Sequence, residues 1–378
     1  MRNINIHRRI RVGMLGGGVG AFIGNIHRIA MRISDRYELV AACFSSDHQR
    51  NLQSAEEIGL DSGRLYFDFE SMARAEAAHP AGIEAVIIVT PNHLHFEMVK
   101  CFLKHGIHVI CDKPLTTDLS QCRELLAVSR LTNKQVYVTY NYSAYPMVRE
   151  ARDRFSQGQI GELRYLKVEY LQDWLANRIE DHGHKQASWR VDPSLAGRVG
   201  CLGDIGIHAY NLACFITQKQ AAMLTADLVP FVADRRLDDH AQVMLRYASG
   251  ARGILLASQV AHGCENRLSI QIIGERGSLE WFQEQPNQLH LHLHGQATQI
   301  LSRARPTNNT AQQLSLLPAG HPEGYLEAFA VLYNDIANCI VHGGSDSTTP
   351  TVDTALGDMQ FIEACIESSQ NQSAWVWY

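Results

Sequence analysis

Lys113, Asp204 and His208 are residues of types that can move a proton near neutral pH, and each falls in a segment whose pattern gives it a place. Lys113 lies in Cys111-Asp112-Lys113-Pro114, at the end of an apolar run over residues 108–113. Thr90-Pro91-Asn92-His93-Leu94-His95 follows a similar run over 85–90. Open α/β sheets place their ligands at the carboxyl ends of strands, so both segments are expected at a site. Asp204 and His208 are four residues apart at the start of a helical stretch, which puts both side chains on one face. The chemistry that suits such a set is oxidation of an alcohol, or its reverse. Hydride leaves the carbon while a positioned base takes the hydroxyl proton, and in reduction an acid returns it. Histidine titrates near neutrality. A partly desolvated lysine beside a cationic ring sheds its proton more readily than one in water. Asp204 is expected to orient His208 and to favour its charge.

Hydride chemistry needs a dinucleotide, and the first strand ends in Gly16-Gly17-Gly18-Val19-Gly20-Ala21-Phe22-Ile23. Gly16, Gly18 and Ala21 fit the pattern G-x-G-x-x-[GA], with a strand before and a helix after. There the glycines allow a tight turn and close backbone approach, and the helix N-terminus holds a pyrophosphate. Gly20, Phe22 and Ile23 complete the expected cradle. The end of the second strand reads Phe44-Ser45-Ser46-Asp47, then Arg50. No acid stands at the strand tip to bond a ribose 2′-hydroxyl, and Ser45 with Arg50 suits a 2′-phosphate. Asp47 either caps the next helix or serves the ribose. NAD or NADP is therefore expected, with the balance tipped slightly to NADP.

The elements that must position these residues change character along the chain. Strand patterns over 10–16, 37–44, 85–90, 108–113 and 135–140 are short and nearly continuous in Val and Ile, as in parallel strands buried on both faces. Helical patterns over 22–34, 48–58, 93–105 and 119–130 alternate with them, so the fold class is α/β with a doubly wound parallel sheet of Rossmann type over 1–140. Residues 141–378 read as an α+β domain. Leu166, Val168 and Tyr170 alternate with polar residues, as do Ala241, Val243 and Leu245, and Leu268, Ile270 and Ile272. That is the period of a large, mainly antiparallel open sheet. Helices are expected around Tyr325 to Ile340 and over 353–367, either of which could pack back on the first domain, and 303–322 reads as a long loop.

The 378 residues carry a net charge of −5 and a pI near 6.4, which offers no general reason to bind nucleic acid or an anionic membrane. No apolar run approaches a bilayer span. Nine cysteines without a CxxC pair suit a reducing, cytoplasmic setting. The basic start, His7 to Arg11, runs directly into a strand and reads as a solvated tail.

Taken together, the glycine turn, T-P-x-x-x-H at Thr90 to His95, Asp112-Lys113-Pro114 and Gly203-Asp204-Ile205-Gly206-Ile207-His208 resemble the glucose–fructose oxidoreductase and inositol dehydrogenase family over essentially the whole chain. The long glycine turn, with Phe22-Ile23-Gly24 before His27, resembles the subgroup of levoglucosan dehydrogenase-like enzymes. The resemblance implies that Lys113, Asp204 and His208 surround the reacting carbon, and that Thr90, Pro91, Asn92, His95, Asp112 and Lys113 line the cofactor. Two departures stand out: Asp112 replaces the Glu common in the family, and Asn211 stands where an Asp is common.

A sugar pocket combines aromatic platforms with hydrogen-bonding groups for hydroxyls. Tyr140-Asn141-Tyr142, Trp174, and Lys185, Gln186, Trp189 and Arg190 are the candidates, with Asn211. Asp181 to His184 and the stripe His290, His292, His294 lack metal-site spacing, and the stripe reads as a solvated or interfacial face, so no metal is expected. The sequence thus reads as an NAD(P)-dependent dehydrogenase of a sugar, anhydrosugar or inositol, homo-oligomeric (a dimer or tetramer) through its open sheet. Two rivals share the fold: a glycosidase or lyase that oxidises its substrate transiently with tightly held NAD, and a non-catalytic dinucleotide sensor.

Overall fold

The computed structural model describes residues 8–305, 309–344 and 346–378. The chain runs β1 (Ile10–Gly16), α1 (Phe22–Ser34), β2 (Tyr37–Cys43), α2 (His48–Ile58), α3 (Phe69–Ala78), β3 (Ala85–Val89), α4 (His95–Lys104), β4 (His108–Cys111), α5 (Leu119–Thr132) and β5 (Val136–Val138). Next come α6 (Pro146–Ser156), β6 (Leu163–Leu171), α7 (Lys185–Arg190), α8 (Pro193–Ala196), a π-helical turn Leu202–Gly206, and α9 (Ile207–Thr217). Six strands follow as β7 (Met223–Val229), β8 (His240–Arg246), β9 (Arg252–Ser258), β10 (Arg267–Gly274), β11 (Gly277–Phe282) and β12 (Gln288–Leu293). The chain closes with β13 (Gln299–Ser302), α10 (Asn309–Leu314), α11 (Tyr325–His342), α12 (Val352–Gln370) and β14 (Val376–Trp377).

Two compact units result: Met1–Asn141 with Tyr325–Leu356, and Tyr142–Gly324 with Gly357–Tyr378. The first holds a five-stranded parallel sheet in the order β2-β1-β3-β4-β5. All five residues of β3 are buried, as a strand covered by helices on both faces requires. The strand order reverses between β1 and β3, which is where such sheets bind ligands. Strand ladders stop one or two residues short of the hydrophobic pattern at Phe44, Thr90, Asp112 and Tyr140, leaving those residues in the loops above the sheet edge. Helix α3, absent from the sequence pattern, is started by Asp68, whose carboxylate accepts from Ser71 N.

The second unit holds a nine-stranded sheet, β13-β12-β11-β10-β6-β9-β8-β7-β14, antiparallel except for the β6–β9 pair. The alternating faces fall as the pattern requires: Leu166, Val168, Leu268, Ile270, Ala241 and Val243 are buried against helices. The stretch 303–322 is not a plain loop, since it contains α10; residues 306–308 lie outside the described set. The basic tail is described from Arg8 onward, where Arg8 pairs with Glu84 and Arg9 with Asp35, so these two are tethered rather than freely solvated.

One close approach decides how α1 meets the sheet. A Cβ on Gly24 would stand 2.3 Å from Gly17 Cα and 2.5 Å from Gly17 O. Both obstacles are backbone, so only glycine lets the helix cross the turn at this distance. Gly24→Ala should destabilise the first unit by about 1–3 kcal/mol, as overpacking of a close contact does. Thermal unfolding reads this; an unchanged midpoint would show that the turn yields freely.

Candidate active site

The glycine turn in the first unit has the features an anionic ligand needs. Gly16, Gly17 and Gly20 have φ of 73°, 73° and 78°, a region that side chains with a Cβ rarely occupy. A Cβ on Gly18 would meet Ser54 Oγ at 2.4 Å, whereas nothing lies within 4 Å of the same position at Gly20, which opens outward. Ser54 accepts from Val19 N at 3.0 Å and ties the turn to α2. The first turn of α1 has no side-chain cap at Ala21 and no acidic residue. Its amides are thus left for an outside acceptor, with the positive end of the helix dipole behind them. Phe22 projects there, 67% exposed, and Ile23 is half-buried. A dinucleotide pyrophosphate fits this cradle.

At the tip of β2, Asp47 acts as helix cap: Oδ1 accepts from Arg50 N at 2.7 Å, and Asp47 N donates to Ser45 Oγ at 3.1 Å. Ser46 and Arg50 are exposed and Ser45 half-exposed, so the polar groups facing solvent include one cation and one capped acid.

Lys113 stands half-buried after β4, at the same carboxyl edge as the glycine turn, and its bond to Pro114 is cis. Asp112 beside it accepts from Thr139 Oγ1 at 2.6 Å and lies 3.6 Å from His27 Nε2 on α1. His95, expected at the cofactor, is instead fully buried. Its Nδ1 is 2.9 Å from Pro114 O and its Nε2 2.8 Å from Thr90 O. It therefore clamps the two loops that carry Thr90 and Lys113 rather than reaching a ligand. Burial pushes this imidazole down, against the pull of those carbonyls. Pro91 is exposed and Asn92 half-buried in the loop between them. Tyr140 and Asn141, expected in the pocket, end the first unit with 1% and 2% exposure and present almost no surface.

The second unit gathers its own group around Asp204. Arg190 Nε lies 3.1 Å and Gln259 Nε2 2.8 Å from Asp204 Oδ2. Arg190 also reaches Gln186 Oε1 at 2.6 Å, covers the Trp189 ring at 4.1 Å and faces Trp174 at 5.8 Å. Thus Gln186, Trp189, Arg190 and Trp174 form one cluster, with Lys185 exposed beside it. Asp204 lies in the π-helical turn and His208 in the first turn of α9, so the helical spacing holds with a widened turn between them. Asp238 fixes the entry to that turn, its two oxygens accepting from Gly200 N and Leu202 N, each at 2.7 Å. His208 is buried edge-on to Tyr142 at 4.9 Å, and Tyr142 Oη is 2.6 Å from Tyr170 Oη. Tyr170 and Gln172 both donate to Asn266 Oδ1, at 2.8 and 2.7 Å.

Asn211, expected in the pocket, is buried and donates to Asp358 Oδ2 at 2.9 Å, which assigns it to packing between α9 and α12. The residues that sequence reasoning missed are Gln259, Asn266, His27, Thr139 and Tyr333; no local spacing marks them, because each acts across tens to hundreds of positions. Elsewhere, Glu280, His290 and His292 come within 4.8 Å of one another on the outer face of β11 and β12. His292 Nδ1 meets Thr298 Oγ1 and His290 lies edge-on to Phe282, as on a half-solvated stripe.

Burial alone drives the Asp112 carboxyl upward, but His27, Thr139 and the Lys113 ammonium outweigh it and hold the acid at about 2. The fold thus favours the ionised form. Its contribution is complete above the ordinary carboxylate value near 4 and is lost as pH falls toward 2. Asp112→Asn should cost on the order of 2 kcal/mol at pH 7 and flatten the stability loss between about pH 4 and 2. Denaturant titrations across that range measure it, and parallel curves for both proteins would refute it.

Comparison with known proteins fits this arrangement. Residues 10–140 match the oxidoreductase family with an NAD-binding Rossmann fold, and residues 148–280 match the GFO/IDH/MocA C-terminal domain. The uncharacterized oxidoreductase YfiI of Bacillus subtilis is 33% identical, covering 98% of this chain and 97% of its own. Levoglucosan dehydrogenase of Pseudarthrobacter phenanthrenivorans is 26% identical, covering 100% and 98%. The inositol dehydrogenase homolog of Azotobacter vinelandii superposes with a TM-score of 0.94 as its NAD+ complex, at 33% identity over 99% of this chain and 98% of that one. Its complex with NADH and myo-inositol gives 0.91, at 31% identity over 98% of both chains. The chain belongs to the GFO/IDH/MocA family of NAD-binding oxidoreductases.

Proposed function

We propose that this protein is an NAD(P)-dependent dehydrogenase that moves hydride between the nicotinamide and a secondary alcohol or ketone carbon of a sugar, anhydrosugar or inositol. The observation that carries the reading is the common sheet edge of the glycine turn and Lys113, with Asp112 held ionised behind the lysine. The relatives that bind levoglucosan or myo-inositol supply the substrate class. When bound, the nicotinamide supplies a hydride acceptor or donor. Lys113 and His208 exchange the hydroxyl proton, which must leave as the carbonyl forms. Asp204, fixed by Arg190 and Gln259, holds a polar group of the substrate or of His208 in place. Trp174, Trp189 and Arg190 offer the apolar ring faces and donors that a polyhydroxylated ligand requires. We further propose a homo-oligomer formed through the outer face of the nine-stranded sheet, where Met244, Ile254 and Ile300 are exposed.

Absorbance at 340 nm tests the chemistry, with NAD or NADP and a panel of polyols, aldoses, inositols and anhydrosugars. Turnover should be lost in Lys113→Ala while cofactor binding persists. If both proteins bind cofactor and no substrate gives net reduction, the dehydrogenase reading fails, and released aglycone becomes the product to seek. For cofactor choice, Ser45 and Arg50 suit a 2′-phosphate as well as a hydroxyl. Arg50→Ala should raise KM for NADP about tenfold, the loss of one charge-assisted hydrogen bond, and leave that for NAD unchanged. An equal effect on both cofactors would exclude Arg50 from phosphate recognition.

A further inference from the structure

Behind the Asp112-Lys113 turn runs a buried polar chain that proton transfer by Lys113 does not by itself require. His27 of α1 has no exposed surface. Its Nδ1 is 2.6 Å from Tyr333 Oη on α11, and its ring lies edge-on to Tyr333 and Phe329. Its Nε2 is 3.6 Å from Asp112 Oδ1. Tyr333 is fixed in turn, since the Tyr37 hydroxyl donates to its backbone oxygen at 2.7 Å. At 3.6 Å the Nε2 contact is longer than a hydrogen bond, so this buried nitrogen meets the carboxylate through charge rather than through a made bond.

The proton positions follow from the partners. An ionised carboxylate has no proton to give, so the nitrogen facing it carries the hydrogen. Burial keeps the Tyr333 hydroxyl protonated, so it is able to donate to Nδ1. His27 therefore presents an N–H toward Asp112, on the oxygen that also accepts from Thr139. A carboxylate whose charge is shared with such donors attracts a neighbouring ammonium less than a bare one does.

We propose that His27, clamped by Tyr333, is a positioning residue that acts through Asp112 to set the pH at which Lys113 releases its proton. The proposal rests on the role given to Lys113 above, although the electrostatic coupling itself needs no turnover. The titratable groups facing the pair are Asp112 and Lys113 after β4, Cys111 before them, His95 on α4, Tyr333 on α11 and Tyr37 on β2. Burial keeps Cys111, Tyr333 and Tyr37 protonated and pushes His95 down toward its neutral form. Asp112 and Lys113 are left as the charges facing His27.

The test uses the full chain as wild type, His27→Leu, His27→Asn and Tyr333→Phe. Competitive acetylation of Lys113 by acetic anhydride, followed against pH by peptide mass spectrometry, reads the lysine without any substrate. The pH profile of kcat on the best polyol of the panel reads it in turnover, and NADH fluorescence reports the cofactor site. In His27→Leu, Asp112 turns its full charge on Lys113, so the labelling curve and the acidic limb of kcat should both move up by about one pH unit. Tyr333→Phe should move them the same way by less. His27→Asn, which keeps an N–H donor, should recover part of the shift. NADH affinity should stay within about threefold of wild type, less than the loss of one net hydrogen bond. A labelling curve for His27→Leu that overlies wild type overturns the coupling, as does a loss of kcat without a shift, the mark of a merely structural role. If His27→Leu does not fold, Tyr333→Phe, which removes one oxygen, decides the matter alone. Shifted labelling with no polyol oxidised would uphold the coupling and sink the dehydrogenase reading; turnover with unshifted labelling would do the reverse.

Discussion

An ionised carboxylate withdrawn from water must be met by donors, and the first unit is organised around meeting one. Asp112 has only 18% of its side chain exposed. Its partners come from α1, from the residue after β5, and from the lysine next to it in sequence. Satisfying it therefore fixes how β4 stands relative to α1. The same helix carries the uncapped N-terminus over the glycine turn, and the Gly17–Gly24 contact sets its path. Anion cradle and lysine are in this way held in one frame. His27 reaches Asp112 with its far nitrogen tied to Tyr333, which explains why residues 325–356 belong with the first unit although they lie nearly two hundred residues beyond its last strand.

The second unit solves a similar problem with different donors. Asp204 faces Arg190 and Gln259, and the Asp238 carboxylate holds the backbone amides that open the π-helical turn. A π-helical turn widens the backbone locally, at the cost of poorer hydrogen bonding than an α-turn. The amides of Gly200 and Leu202 are met by a buried side chain, so the departure is supported rather than accidental. Asp204 and His208 are positioned by these contacts, not by the helix alone.

How much of this was legible in sequence follows from the range of each interaction. The bounds of β1, α1 and α2 agree with the pattern because their signals are local: a glycine turn, and caps at Asp47 and Gly59. The acid cap at Asp118 likewise opens α5 at Leu119, but its end at Thr132 runs past the pattern until Asn133 takes the left-handed conformation. Arg190 and Asp204 are each legible by type, yet their contact is not, since they stand fourteen positions apart with α8 and two loops between them. The burial of His95 has no local signal, because a histidine after a strand end looks alike whether it points outward or clamps two carbonyls. His27 and Tyr333, 306 positions apart, carry no common sequence signal at all.

The contacts of Arg190 show what a guanidinium does in this cluster. A guanidinium is planar, so one side chain can stack on the Trp189 ring while its edge meets Asp204 and Gln186. An ammonium has donors enough for both acceptors but no planar face to lay on the ring at the same time. Because Arg190 and Gln259 both hold it, Asp204 is oriented before any ligand arrives. A sugar offers many similar hydroxyls, and apolar area cannot tell them apart. Fixed donors and acceptors can, since a hydroxyl in the wrong place leaves a buried polar group without a partner. On the function proposed above, the contacts that fix Asp204 would serve selectivity and proton transfer together.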